Sequence, residues 1–213
     1  MILESLSVGP FQCNCTILGC EKTREAVVID PGEEADRIIA LLQERGLKPK
    51  YLLHTHAHLD HVGGTCGVQE KVGGEACLHE ADKFLFDNVA MQAALFNLPP
   101  PRTGKIDQWL LDGDQVDFGE HRIEVWHTPG HTPGSLSFYL PDPSGNRLFT
   151  GDTLFASSIG RTDLWGGDYQ QILRSIRDKI LPCADDTVVY AGHGPNSTVG
   201  AERRHNPFLQ NLS

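Results

Sequence analysis

Residues 54–61 read HTHAHLDH, four histidines and an aspartate in eight consecutive positions. The chain's ten histidines, spread evenly over 213 residues, would put fewer than one in such a window. Imidazole nitrogen and carboxylate oxygen are the ligands of zinc and of borderline divalent ions. The apolar run YLL leads into the window and reads as a strand. If the chain leaves it extended, His56 and His58 project to one side, because side chains alternate with period two. Asp60 and His61 follow where VGGTCG turns back as a short helix. Three histidines and a carboxylate within six residues exceed what one tetrahedral catalytic ion needs; two ions sharing a carboxylate would account for the surplus.

A second ion needs ligands from elsewhere, and three residues stand in suggestive settings. His131 lies between two Pro-Gly turns in HTPGHTPG, Asp152 follows Gly151 at the end of RLFTGD, and His193 sits in AGHGP behind TVVYAG. Each is a ligand-type residue at a strand end, where loops carry function on a rigid scaffold. Singly, each also reads as a solvated turn residue or a cap. Their order behind the opening cluster is what sets them apart.

The surrounding pattern alternates strands and helices. AVVID (26–30) is a buried strand closed by Pro31-Gly32. Residues 33–45 carry Ala35, Ile38, Leu41 and Leu42 at helical spacing, with Gly46 as the stop. Residues 80–96 read as one amphipathic helix, ended by the proline loop NLPPPRTGK (97–105). Strands follow in QWLL, QVDF, HRIEVWHT, SLSFYL, RLFTGD and TVVYAGH, and residues 168–180 are helical again. Two mixed halves predict two sheets face to face with helices outside, in one domain spanning 1–213.

Composition excludes several classes. Net charge is −10, with no block of lysine or arginine, so nonspecific grip on nucleic acid or anionic membrane is not expected. MILESLSVGPFQ has no basic segment leading into an apolar one, and no apolar run approaches spanning length. Six scattered cysteines make no disulfide framework. Together these place the chain in a reducing cytoplasm. Cys13-x-Cys15 is a weak metal signal, better read as alternate positions on a buried strand.

H-x-H-x-D-H, followed by a His in TPGHT, an Asp in GDT and a His in GHG, resembles the metallo-β-lactamase superfamily along almost the whole chain. The resemblance implies a four-layer αββα sandwich with a metal pair at the edge of the two sheets. It implies one ion on His56, His58 and His131, a second on Asp60, His61 and His193, and Asp152 bridging. His54 precedes the motif and reads as a core residue or a partner of a ligand; His127 reads as a strand-end residue. His79, His121 and His205 read as surface or packing positions.

Two close cations lower the pKa of a shared water into the neutral range and polarise an acyl oxygen. Asp60 would anchor one ion and orient the resulting hydroxide. There is no G-x-S-x-G nucleophile elbow and no phosphate-binding P-loop, so metal-assisted hydrolysis is the class expected. GDTLFASSIGRTDLWGGD (151–168) and AGHGPNSTVGAERRHNPFL (191–209) look most like glyoxalase II and its short bacterial relatives. The resemblance implies a thioesterase acting on S-acyl glutathione such as S-lactoylglutathione, with two zinc ions, or iron or manganese in their place. Arg161 falls where such relatives place a basic substrate-binding residue, and reads otherwise as an exposed arginine or a salt-bridge partner of Asp163; Arg102 and Lys105 would add charge from the proline loop. The chain ends 20 residues beyond His193 (213 − 193), short of the helical domain with which full-length relatives grip glutathione. The nearest rival is a persulfide dioxygenase with a single iron, or a lactone or other ester hydrolase of the same fold. A structural metal module fits poorly, since structural zinc sites are closed and thiolate-rich.

Overall fold

The structure is a computed structural model that describes residues 1–210 and 212. The chain divides into two compact units, Met1–Leu110 with Asp117–His121, and Leu111–Val116 with Arg122–Ser213.

The first unit is built on a six-stranded sheet in the order β1-β2-β3-β4-β5-β6. Its strands are β1 (Ile2–Val8), β2 (Cys13–Gly19), β3 (Glu25–Ile29), β4 (Lys48–Leu53), β5 (Glu75–Leu78) and β6 (Gln108–Trp109). β1 to β3 form an antiparallel meander, and β3 to β6 run parallel. Parallel neighbours need crossovers. α1 (Ala35–Glu44) supplies the first, and its apolar stripe buries Ile38, Ile39 and Leu42. α2 (Leu59–Val62) and α3 (Thr65–Val72) supply the next, so VGGTCG opens a second short helix after a break at Gly63-Gly64. Cys13 and Cys15 are buried in the core with Ile17, Val28 and Leu52, the packing role expected of alternate strand positions.

The segment 80–96 is not one helix. It is a 3-10 turn at Glu80–Asp82, then α4 (Lys83–Asp87) and α5 (Val89–Leu95). The break falls at Asn88, whose Nδ2 donates to the Phe84 carbonyl at 2.7 Å. Asparagine competes in this way with the backbone ladder and interrupts helices. QWLL is also shorter as a strand than its pattern predicts: only Gln108–Trp109 pairs, with β5.

The second sheet has the order β14-β13-β10-β9-β8-β7. It comprises β7 (Gln115–Phe118), β8 (His121–His127), β9 (Leu136–Leu140), β10 (Arg147–Gly151), β13 (Val188–Ala191) and β14 (Ser197–Thr198). A small hairpin, β11 (Leu154–Phe155) with β12 (Ser158–Ile159), follows β10. β8 and β10 are each antiparallel to β9, and β13 is parallel to β10. Three strands therefore run in one direction, and the chain leaves all three at the same sheet edge. α6 (Tyr169–Ser175), continued as a π turn over Ile176–Ile180, packs Ile172, Ile176 and Ile180 against Leu148 and Val189. α7 (Val199–His205) closes the described chain.

Candidate metal centre

In the first unit, β3 and β4 run parallel and end side by side. Asp30 leaves one and the histidine window leaves the other. His54 is buried, with Nδ1 2.9 Å from the Cys77 carbonyl and Nε2 2.7 Å from Thr65 Oγ1. A carbonyl only accepts, so Nδ1 carries the proton and Nε2 accepts from the threonine. Burial holds the His54 pKa below its ordinary value. This histidine is a neutral core tie between β4, β5 and α3.

The next residues turn their nitrogens inward. His56 Nδ1 lies 3.0 Å from Thr55 Oγ1, and its Nε2 stands 3.1 Å from His58 Nδ1. Two nitrogens sharing one tetrahedral zinc at 2.0–2.1 Å would lie about 3.3 Å apart. His61 has its Nδ1 3.0 Å from Asp30 Oδ2 and its Nε2 3.7 Å from Asp60 Oδ2. A carboxylate on the far nitrogen fixes the tautomer and raises the basicity of the near one. Cys13 Sγ touches the same Nδ1 at 3.6 Å, and burial pushes this thiol up to about 12. It stays a neutral packing group.

Asp30, which nothing in its sequence spacing singles out, is the support behind His61. It is buried at φ +51°, and its carboxylate accepts from Thr55 N–H, the Thr55 hydroxyl and His61 Nδ1. Nor does spacing single out Asp82 and Gln92. Asp82 Oδ2 accepts from Ala57 N–H at 3.0 Å. Gln92 accepts from Leu59 N–H and donates to the Ala57 carbonyl, both at 3.0 Å, so one buried amide grips the backbone on either side of His58. Gly32 completes the support. A Cβ there would lie 1.8 Å from the Asp60 carbonyl oxygen.

In the second unit His131, Asp152 and His193 follow β8, β10 and β13, the three co-directional strands. Asp152 Oδ2 stands 3.6 Å from His131 Nε2 and 3.7 Å from His193 Nε2. These distances are too long for hydrogen bonds and suit ligands gathered around ions. His131 Nδ1 donates to the Arg161 carbonyl at 2.8 Å, which leaves Nε2 as the nitrogen facing Asp152. Each unit by itself thus presents histidines oriented from behind and a carboxylate at ligand spacing, donors of the kind that divalent metals take.

The charges expected around the site are engaged elsewhere. Arg161 is more than half exposed and forms a bidentate pair with Asp163, at 2.7 and 2.8 Å. The guanidinium lowers the Asp163 carboxyl to about 2. Arg102 pairs with Glu70 and Lys105 with Asp107, so the proline loop carries no net positive grip from these two. His127 ends β8 as expected, its Nε2 donating to the Pro133 carbonyl at 2.8 Å. No helix among the described residues is long and apolar enough to cross a membrane.

Comparison with known proteins agrees with this geometry. The family model of the metallo-β-lactamase superfamily matches residues 8–193. The chain is 41% identical to the hydroxyacylglutathione hydrolase GloC of Haemophilus influenzae, over the full length of both. It is 34% identical to the human mitochondrial persulfide dioxygenase ETHE1, over 94% of this chain and 73% of that one. Among solved structures, BLEG-1, a B3 metallo-β-lactamase, is 39% identical with a TM-score of 0.91, covering 99% of this chain and all of that one. TTHA1623 in a di-iron-bound form is 36% identical with a TM-score of 0.88, covering 97% and 100%. The His and Asp donors, the two sheets with their helices and the family match together make the chain a metallo-hydrolase belonging to the metallo-β-lactamase superfamily.

Proposed function

We propose that residues 1–213 act as one catalytic domain, a cytoplasmic binuclear thioesterase cleaving S-acyl glutathione, with S-lactoylglutathione as the representative substrate. In this reading one zinc ion takes His56, His58 and His131, the other takes Asp60, His61 and His193, and Asp152 is shared. The observation that carries it is the donor chemistry within each unit: His56, His58, Asp60 and His61 gather in one, and Asp152 stands at ligand spacing from His131 and His193 in the other. The full-length similarity to a hydroxyacylglutathione hydrolase supports the substrate class. A bound metal pair would supply an activated water and an electrophile for the acyl oxygen.

The chain's own residues do the rest. Asp30, Thr55 and the Arg161 carbonyl hold the three imidazoles of His61, His56 and His131 in one orientation each. Asp60 orients the attacking water and holds its proton side. The leaving thiol, of pKa about 8.5–9, departs as a thiolate without a strong general acid. That suits a site whose polar groups are nearly all ligands.

Arg161 is the proposed grip for a carboxylate of the thiol, made by exchanging Asp163 for substrate. Arg161→Ala is expected to raise KM about tenfold with kcat little changed, as loss of a charged hydrogen bond would. Asp163→Asn, which frees the guanidinium, is expected to lower KM about two- to threefold. Steady-state kinetics on S-lactoylglutathione check both. Unchanged KM in both variants would remove Arg161 from the substrate site.

The second reading, a persulfide dioxygenase with one iron, is favoured by the similarity to ETHE1. Two assays on the same preparation separate them: thiol release by the zinc-loaded protein, and oxygen uptake on glutathione persulfide by the iron-loaded protein. A β-lactam and a lactone belong in the first assay as competing acyl substrates. Oxygen uptake without thioester cleavage would overturn the thioesterase reading.

A further inference from the structure

Glu202, on α7, is a buried carboxylate for which the proposed chemistry has no use. It is 3% exposed, and its neighbour one helical turn on, Asn206, is fully buried. Glu202 Oε2 accepts from Ser157 N–H and from Asn206 Nδ2, each at 2.8 Å, and Oε1 accepts from the Ser197 hydroxyl. Asn206 Nδ2 also donates to the Ser158 carbonyl at 3.0 Å. Glu202 of α7 and Asn206 directly behind the helix therefore hold two adjacent residues at the tip of the β11–β12 hairpin. Ser157 is in the left-handed region, at φ +60°, which a serine adopts only when its surroundings impose it.

What the hairpin touches gives this grip its meaning. β11 begins two residues after Asp152, and the Phe155 ring meets the His193 ring edge-on, with centroids 6.3 Å apart. The return strand runs into Gly160, packed so closely that a Cβ there would lie 1.7 Å from the Asp152 carbonyl and 3.2 Å from His131 Nδ1. The following residue, Arg161, gives the carbonyl that accepts from His131 Nδ1. The hairpin is thus the wall against which all three proposed ligands of the second unit are set.

We infer that Glu202 and Asn206 are positioning residues for the metal centre, fixing the β11–β12 hairpin so that His131, Asp152 and His193 keep ligand geometry. The inference rests on the reading of those three residues as ligands, but not on the substrate. Nor does it need the charge of Glu202. Glutamine fits the same place, its oxygen accepting from Ser157 N–H and Asn206, its NH2 donating to the Ser197 hydroxyl, which can turn to accept. Alanine at 202 removes all three of these bonds.

The test compares Glu202→Gln, Glu202→Ala and Asn206→Ala in the full chain, with zinc affinity from chelator competition and amide hydrogen exchange as readouts. Both alanine variants are expected to lose zinc affinity about 10- to 100-fold, the scale seen when partners behind metal ligands are removed. Amides of residues 154–161 are expected to exchange at least about tenfold faster, ahead of the rest of the second unit. Glu202→Gln is expected to match the parent in both. If Glu202→Ala fails to fold, Asn206→Ala, which leaves the Ser157 tie in place, carries the same expectation. Alanine variants that lose global stability but keep zinc affinity and hairpin protection would overturn the inference. So would a glutamine variant as impaired as alanine. A parent protein that binds zinc but cleaves no thioester would sink the proposed substrate and leave this result standing.

Discussion

Asp30→Ala is expected to cost about 3 kcal/mol or more of unfolding free energy in the metal-free protein. The change removes the acceptor of three hydrogen bonds in a buried setting and strands the Thr55 N–H. Bonds to a buried carboxylate are worth about 1.5–3 kcal/mol each, and an unsatisfied buried donor costs about 1–3 kcal/mol more. Asp30 also stands behind His61, so zinc affinity is expected to fall about 10- to 100-fold. Asp30→Asn separates the two effects. An asparagine oxygen still accepts from Thr55 N–H, and its NH2 can donate to the Thr55 hydroxyl. The same NH2 then faces His61 Nδ1 and drives the ring proton onto Nε2, the nitrogen turned toward Asp60. The asparagine variant should keep most of its stability and still lose zinc. Denaturant unfolding and zinc titration of both variants check this. An asparagine variant with parental zinc affinity would show that Asp30 does not set the His61 tautomer.

Gly160→Ala is the second large effect, and its cause is space. A methyl group at that position would sit 1.7 Å from the Asp152 carbonyl oxygen, and a backbone atom cannot rotate out of the way. The strand or the Asp152 peptide must shift, at a cost of about 3 kcal/mol for overpacking. The shift falls on a proposed shared ligand, and a displacement of about 1 Å at such a centre costs about 100-fold in rate. Gly32 makes the equivalent approach to the Asp60 carbonyl, at 1.8 Å. Thermal unfolding and metal content read the outcome. An alanine variant with parental melting temperature and full metal content would mean that the carbonyl of Asp152 yields freely.

The parts of this molecule that could be read from the chain are those whose partners are close in sequence or whose order is distinctive. HTHAHLDH concentrates four donors in one window, so its chemistry shows without the fold. His131, Asp152 and His193 are ordinary turn residues one by one, and become a set only through their order and their glycine and proline flanks. The supports behind them were not legible. Asp30 closes AVVID like any strand-end acid, and nothing in the spacing ties it to His61, 31 residues on. The one clue was a carboxylate at the end of a wholly apolar strand, immediately before Pro-Gly. Gln92 sits inside a helical pattern where a glutamine usually faces solvent. Glu202 and Asn206 lie in AGHGPNSTVGAERRHNPFL, where nothing in the spacing ties them to Ser157 and Ser158, more than 40 residues back.

The elements failed where period gave too little signal. Two-residue strands such as β11, β12 and β14 carry no alternation to detect. The break at Asn88 was hidden because apolar spacing continues through it, while the side-chain bond to Phe84 that interrupts the ladder is a feature of conformation. The charges at Arg102, Lys105 and Arg161 were visible, and Asp163 was legible as a partner for Arg161, but only the fold shows the partners of the other two. Asp163 is two residues from Arg161, whereas Glu70 lies 32 residues from Arg102.

The central claim is that these ligands serve thioester hydrolysis. Thiol release from S-lactoylglutathione by the zinc-loaded protein, with Asp60→Asn as the blank, tests it most directly. The account expects rapid release by the parent and a fall of about 100-fold or more in the variant, since Asp60 is both an ion's anchor and the group that orients the attacking water. Release no faster than the blank, from protein shown to carry its two metals, would contradict the assignment.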